Sequence, residues 1–222
     1  MMKSVHNGDK LTIGSSVFFT SLVKAASFFK VSFIIGSWAA FFSAASIAVP
    51  LVGAFTGMSG AIGIFGLGIL VRYVISGNLP FIFLAYHIPG FCASAYFASS
   101  SFIVRLLLPL ACMAAFIAHP VGGAAWVYSL YWLIPIALYV MRKKSLFLTA
   151  LGSTFTAHAV GSVIWLYANP MTAGAWLALI PVVLVERLVF ASGMVVAYHA
   201  INFVKNCDYQ SALHKLHRKL IA

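Results

Sequence analysis

The sequence predicts an all-α, polytopic transmembrane helix bundle, and three observations predict it. Of the 222 residues, 63% are hydrophobic and only 8% are charged, where a soluble domain carries roughly 25% charged residues. The mean hydropathy is +1.02, so lipid must solvate much of the surface. The apolar residues come in runs close to the roughly 20 residues a spanning helix needs, separated by Pro, Gly and basic clusters.

Fourteen Lys and Arg stand against three Asp and Glu, a formal net charge of +11. In a soluble protein that balance points to nucleic acid. Here the bases sit at the ends of apolar runs and in both tails, the positive-inside pattern, so the lipid bilayer is the expected partner and nucleic acid is not. The length suits one membrane domain without a soluble catalytic domain. Cys92, Cys112 and Cys207 form no CxxC or Cys/His spacing, which supports neither a disulfide framework nor a metal site.

The first element is Leu11–Val23. It is too short and too polar to span, and it is followed by Lys24 and Lys30. Thr20, Lys24 and Ser27 lie opposite Phe18, Leu22, Ala25 and Phe29, which predicts an amphipathic helix in the membrane interface. Residues 1–30 form this cytoplasmic or interfacial segment, 31–204 the transmembrane domain and 205–222 a basic cytoplasmic tail.

Seven apolar segments follow: Val31–Val49, Leu51–Ile75, Leu79–Ala98, Phe102–Ala118, Ala124–Met141, Ser145–Ala168 and Ala173 to about Val204. Seven crossings would put Arg142–Lys144 and the C-terminal tail on the side opposite the basic N-terminus, whereas six return both to the cytoplasm. The segment to demote is Leu79–Ala98, which carries Pro80, His87 and Pro89-Gly90. Broken backbone at membrane depth is tolerated where it lines a cavity, so this segment is expected to be re-entrant or superficial. The prediction is about six spans with both tails cytoplasmic.

Several constellations carry possible chemistry. Gly36, Ala40, Ala44 and Ala48 recur every four residues, a smooth stripe that lets another helix approach closely, within the chain or from a partner. Thr154, His158, Gly161, Ser162 and Trp165 share one helical face, and polar groups within a span face the bundle or a cavity. Tyr128, Trp132 and Tyr139 stand in line. Those near the ends suit the interfacial aromatic belt, and Trp132 suits a pocket wall. Glu186 is the only acid within a span, and Arg187 follows it. Neighbours on a helix do not face each other, so each is expected to find a partner elsewhere or access to water. His87, His119, His158 and His199 are scattered over separate segments, without metal-ligand spacing. No P-loop, dinucleotide fingerprint or other cofactor motif is present, and no cofactor is expected.

Gly57-Met58-Ser59-Gly60 and Ala157-His158-Ala159-Val160-Gly161 resemble the serine and histidine motifs of rhomboid-type intramembrane proteases. The resemblance implies Ser59 as nucleophile and His158 as base. In outline the chain more closely resembles a substrate-binding S component of the energy-coupling-factor vitamin transporters. The features that carry this are Ala40-x-x-x-Ala44-x-x-x-Ala48 with Gly36, a glycine-rich second helix from Gly53 to Gly68, and Leu179-Ile180-Pro181-Val182-Val183-Leu184 opening the last helix. This resemblance implies a bacterial inner-membrane protein that binds a small water-soluble micronutrient and docks through its first helix onto a transmembrane coupling subunit with ATPases. Trp132, His158, Ser162, Trp165, Glu186 and Arg187 are the expected ligand-binding residues. Gly36, Ala40, Ala44 and Ala48 are the expected docking surface, with no catalytic or metal-binding residue. The competing readings are an intramembrane enzyme, either a rhomboid-like protease or a lipid-modifying enzyme, and an assembly protein whose polar residues only hold helices together.

Overall fold

A computed structural model of the chain describes residues 13–29, 43–141 and 145–221. The elements are α1 (Ile13–Ser27), α2 (Ala45–Ser76), α3 (Phe81–Ala98), a π-helical turn (Ile103–Leu107) running into α4 (Leu108–Ala118), α5 (Pro120–Ala124), a 3-10 helix (Trp126–Trp132) running into α6 (Leu133–Val140), α7 (Leu146–Ala168), α8 (Ala173–Ala178) and α9 (Ile180–Ile221). No strand occurs among the described residues. Three stretches are long and apolar enough to cross a membrane: Ala45–Ser76, Leu146–Ala168 and Ile180–Asn206. Shorter apolar helical stretches cover Val17–Ser27, Ile103–Ala118 and Trp126–Val140.

Helix ends fall where local chemistry puts them. Gly77 takes a left-handed conformation (φ 69°) and closes α2, a role that suits a residue without Cβ. Pro120 opens α5 after His119, whose Nδ1 accepts the Val121 N–H. Ser145 caps α7 by accepting from the Leu148 N–H, and Thr172 caps α8 by accepting from that of Ala175. The first helix packs on α2 through Phe19, Leu22 and Val23 and leaves Thr20 and Lys24 exposed. This is the expected amphipathic pattern turned by one residue, since Phe18 and Phe29 face outward.

Two expectations about the spans are corrected. Leu79–Ala98 is neither broken nor superficial. Its helical part, Phe81–Ala98, is continuous despite Pro89 and sits between α2 and α7, with Ala93, Ser94, Ala95 and Tyr96 buried. Small residues explain this placement. A Cβ on Gly53 of α2 would collide with the Ser94 carbonyl, and one on Gly152 of α7 with the Tyr96 hydroxyl. The proline is accommodated because neighbouring helices stabilise an imperfect ladder. Nor does Val31–Val49 end at Pro50. The second helix begins at Ala45 and continues through Pro50, with the Ser94 hydroxyl donating to the Val49 carbonyl at 2.7 Å and accepting from the Gly53 N–H at 3.3 Å. The Ala44 N–H donates to the Phe29 carbonyl at 2.8 Å, so the chain enters and leaves 30–43 at one place. The rest of that expected span lies outside the described residues.

The interruption of α2 comes instead at Gly57 (φ 68°, ψ −170°), a conformation open essentially to glycine alone. The expected Ala124–Met141 span is built from the 3-10 turns and α6, with α5 leading into it. The expected tail continues as helix, since α9 runs to Ile221.

Both α3 and the Trp126–Val140 stretch run antiparallel to α7. Ser153 bonds the Ala93 carbonyl and Gly161 faces Pro89, while Trp132 meets His158 and Tyr128 meets Ser162. Arg105 caps the end of α3, donating to the carbonyls of Tyr96 and Ser99 at 2.8 and 2.9 Å with its guanidinium over the Tyr96 ring.

Candidate functional site

The buried polar residues of α7 define the site. Thr154, His158 and Ser162 lie one turn apart on its inner face, as their spacing predicts, and all three are buried. Around them stands an apolar core that includes Cys112, Phe116, Tyr128, Trp132, Phe155, Trp176 and Val183.

His158 is held from both sides. The Trp132 indole N–H donates to its Nδ1 at 3.1 Å. The Tyr128 hydroxyl lies 2.8 Å and the Ser162 hydroxyl 3.3 Å from its Nε2, and the two hydroxyls are 3.4 Å apart. An indole N–H can only donate, so Nδ1 accepts and the ring proton resides on Nε2. The imidazole thus bridges an indole donor on one side and two hydroxyls on the other.

Arg187 and Glu186 lie on the facing helix, α9. The Arg187 guanidinium meets the Glu186 carboxylate at 3.2 Å, donates to the Thr154 hydroxyl at 3.4 Å and lies over the Phe190 ring at 4.8 Å. This corrects the expectation that the neighbours would pair elsewhere. Their Cβ atoms do diverge, but arginine is long enough to fold back. In an apolar bundle an uncompensated charge costs far more than the bent rotamer. Through Thr154, this pair touches α7 one turn from His158.

Of the six expected ligand-binding residues, Trp132, His158 and Ser162 meet directly. Glu186 and Arg187 join them through Thr154, and Trp165 is half-buried against the edge of the same core. Sequence reasoning missed two neighbours. Tyr128 belongs to the cluster and not to an interfacial belt, and its spacing four residues before Trp132 carried that signal. Trp176 is buried edge-on against Tyr128 and Phe116, across a loop that no local periodicity spans.

Other expected features separate. Ser59 is exposed on α2, while both ring nitrogens of His158 are engaged by Trp132, Tyr128 and Ser162, so the rhomboid-like pair does not form. Ala48 is buried and Ala44 packs against the core around Phe19 and Phe55. This half of the stripe is internal packing, and Gly36 and Ala40 lie outside the described residues. His87 bonds its own helix at the Phe83 carbonyl, and His119 caps α5. Among the described residues no three His, Cys, Asp or Glu side chains gather as metal ligands. No protein-family model matches the chain, and neither a curated protein nor a solved structure shows significant similarity to it.

Proposed function

We propose that the chain is a solute-binding membrane protein with six crossings, and that a small polar molecule binds where the Trp126–Trp132 turns, α7 and α9 meet. One observation carries this reading. Two polar groupings, Trp132–His158–Tyr128–Ser162 and Glu186–Arg187–Thr154, occupy neighbouring turns of α7 inside an apolar bundle. Ionisable residues at membrane depth are costly and concentrate at ligand and ion pathways. A few fixed polar groups within an aromatic wall are what a polar solute needs.

The crossings in this reading are the part of α2 after Gly57, α3, 102–118, 120–140, α7 and α9, with α3 replacing Val31–Val49; the first part of α2 doubles back at Gly57, since Val49 and Phe65 both lie within 4 Å of where a Cβ on Gly90 would stand. Ring contacts support the alternation: Phe102 meets Tyr139 at one end, and His119 meets Tyr167 at the other. Arg105 and the C-terminal end of α9 then share one side, the cytoplasm, while Arg72 lies opposite. The site falls in the outer half of the bundle, suited to uptake from outside. Uptake against a gradient needs an energising partner, and a membrane coupling subunit with ATPases fits the outline resemblance.

Native mass spectrometry of gently purified protein tests the reading. A retained polar molecule, lost from the His158→Ala and Glu186→Gln proteins while both stay folded, supports it. Retention of that molecule by both variants sinks it.

A further inference from the structure

The hydrogen-bond inventory around His158 leaves donors over. With its proton on Nε2 and its remaining lone pair taken by Trp132, the imidazole accepts nothing from Tyr128 or Ser162. The Nε2 proton serves the Tyr128 oxygen, the nearer of the two at 2.8 Å. One hydroxyl proton serves the Tyr128–Ser162 contact. A hydroxyl carries a single proton, so of the two in this pair one has no acceptor within the cluster.

A second unpartnered donor lies on a ring packed against Tyr128. Trp176 is 2% exposed, and its Nε1 has no hydrogen-bond partner among the described residues. Its ring lies 5.0 Å from that of Tyr128 and 5.3 Å from that of Phe116, edge-on in both cases. An aromatic face is a second-order acceptor at best, and a buried N–H without an oxygen acceptor calls for an explanation. Two donors without acceptors therefore belong to one aromatic cluster, and the neighbouring cation, Arg187, already faces Glu186.

We propose that Trp176 and the Tyr128–Ser162 pair form an oxygen-binding subsite, which takes the carbonyl oxygen of an uncharged planar molecule lying against Phe116 and Trp176. This rests on the solute-binding reading and adds the chemical class of the solute. A cation finds no match here, because the groups left over are donors. A carboxylate would bring a charge that the paired Arg187 and Glu186 do not balance.

The test uses the full chain in micelles, labelled with 15N-tryptophan. Its five tryptophans give five indole N–H signals, assigned by single Trp→Phe variants. If Trp176→Phe does not fold, its signal is identified by elimination. Benzamide is the probe and benzylamine the control, with a similar ring but an ammonium in place of the carbonyl. Benzamide should shift the Trp176 signal downfield along a saturable curve, whereas benzylamine should leave it in place. Ser162→Ala should weaken the benzamide curve by roughly tenfold, the cost of one buried hydrogen bond, and Trp126→Phe, at an exposed position, should not. The subsite is overturned if the Trp176 signal stays still at saturating benzamide, if benzylamine moves it equally, or if benzamide does not bind at all. If His158→Ala abolishes benzamide binding while the Trp176 signal never moves, the solute site stands and only the oxygen subsite falls.

Discussion

The indole of Trp132 and the imidazole of His158 form a one-way link between the 3-10 turns and α7: the indole N–H donates to Nδ1 at 3.1 Å, which fixes the tautomer. In 15N-histidine spectra, His158 should show an unprotonated Nδ1 and a protonated Nε2. Trp132→Phe removes the constraint and the bond together, and should lower stability by about 1–3 kcal/mol as a buried acceptor loses its donor. A wild-type spectrum with the proton on Nδ1 would refute the assignment.

Glu186 and Arg187 should behave as one unit. Removing either partner leaves the other buried without compensation, a loss of about 3–5 kcal/mol. Arg187→Met and Glu186→Gln are therefore each expected to lower the melting temperature in detergent. The double variant should recover most of the loss, since no lone charge remains. If the two single effects simply add, the pair is not coupled and each residue has another partner that matters more.

The glycines differ sharply in what they tolerate. Gly53→Ala would drive a methyl into the Ser94 carbonyl and Gly152→Ala into the Tyr96 hydroxyl, whereas around Gly66 there is open space. Overpacking costs about 1–3 kcal/mol, and the Gly53 variant should lie at the upper end because backbone cannot rotate away. Gly66→Ala should be neutral or slightly stabilising. Thermal unfolding of the three variants checks the order, and equal effects would contradict the close contact between α2 and α3.

Single cysteines read the topology. Introduced at Asn78 and Asn169, they should react with an impermeant maleimide from outside intact cells. At Ser99 and Ser145 they should be protected until the cells are opened. Labelling of Ser99→Cys from outside would remove α3 from the set of crossings.

Much of the fold was legible because lipid makes burial one-sided and helix stops are local. Gly77, His119-Pro120 and Asn169-Pro170 each end a helix where the sequence predicts. Reading Pro89-Gly90 as a break failed for a tertiary reason: α2 and α7 close around α3, and no local pattern shows that Gly53 and Gly152 lie opposite Ser94 and Tyr96. The inner face of α7 was visible from its spacing. The Arg187–Glu186 contact was not, because helical geometry describes where Cβ atoms point and a long side chain can reverse that direction. Trp176 could not be placed from sequence, since its position depends on how α8 folds against α4.

The contacts of α7 change in kind along its length, and that sets where the helix can yield. Near Gly152 and Ser153 it meets α3 across gaps too narrow for a methyl group, and such packing resists shear. One to two turns further on, it is held by the tips of His158 and Ser162, which can swing and re-pair through a change of rotamer. The far end is fixed again, since Leu166 is buried and the Tyr167 hydroxyl donates to the Ala115 carbonyl at 2.9 Å. A solute arriving among the tips would be met by side chains that re-pair, and the fixed stretches on either side would carry little of that movement along the helix.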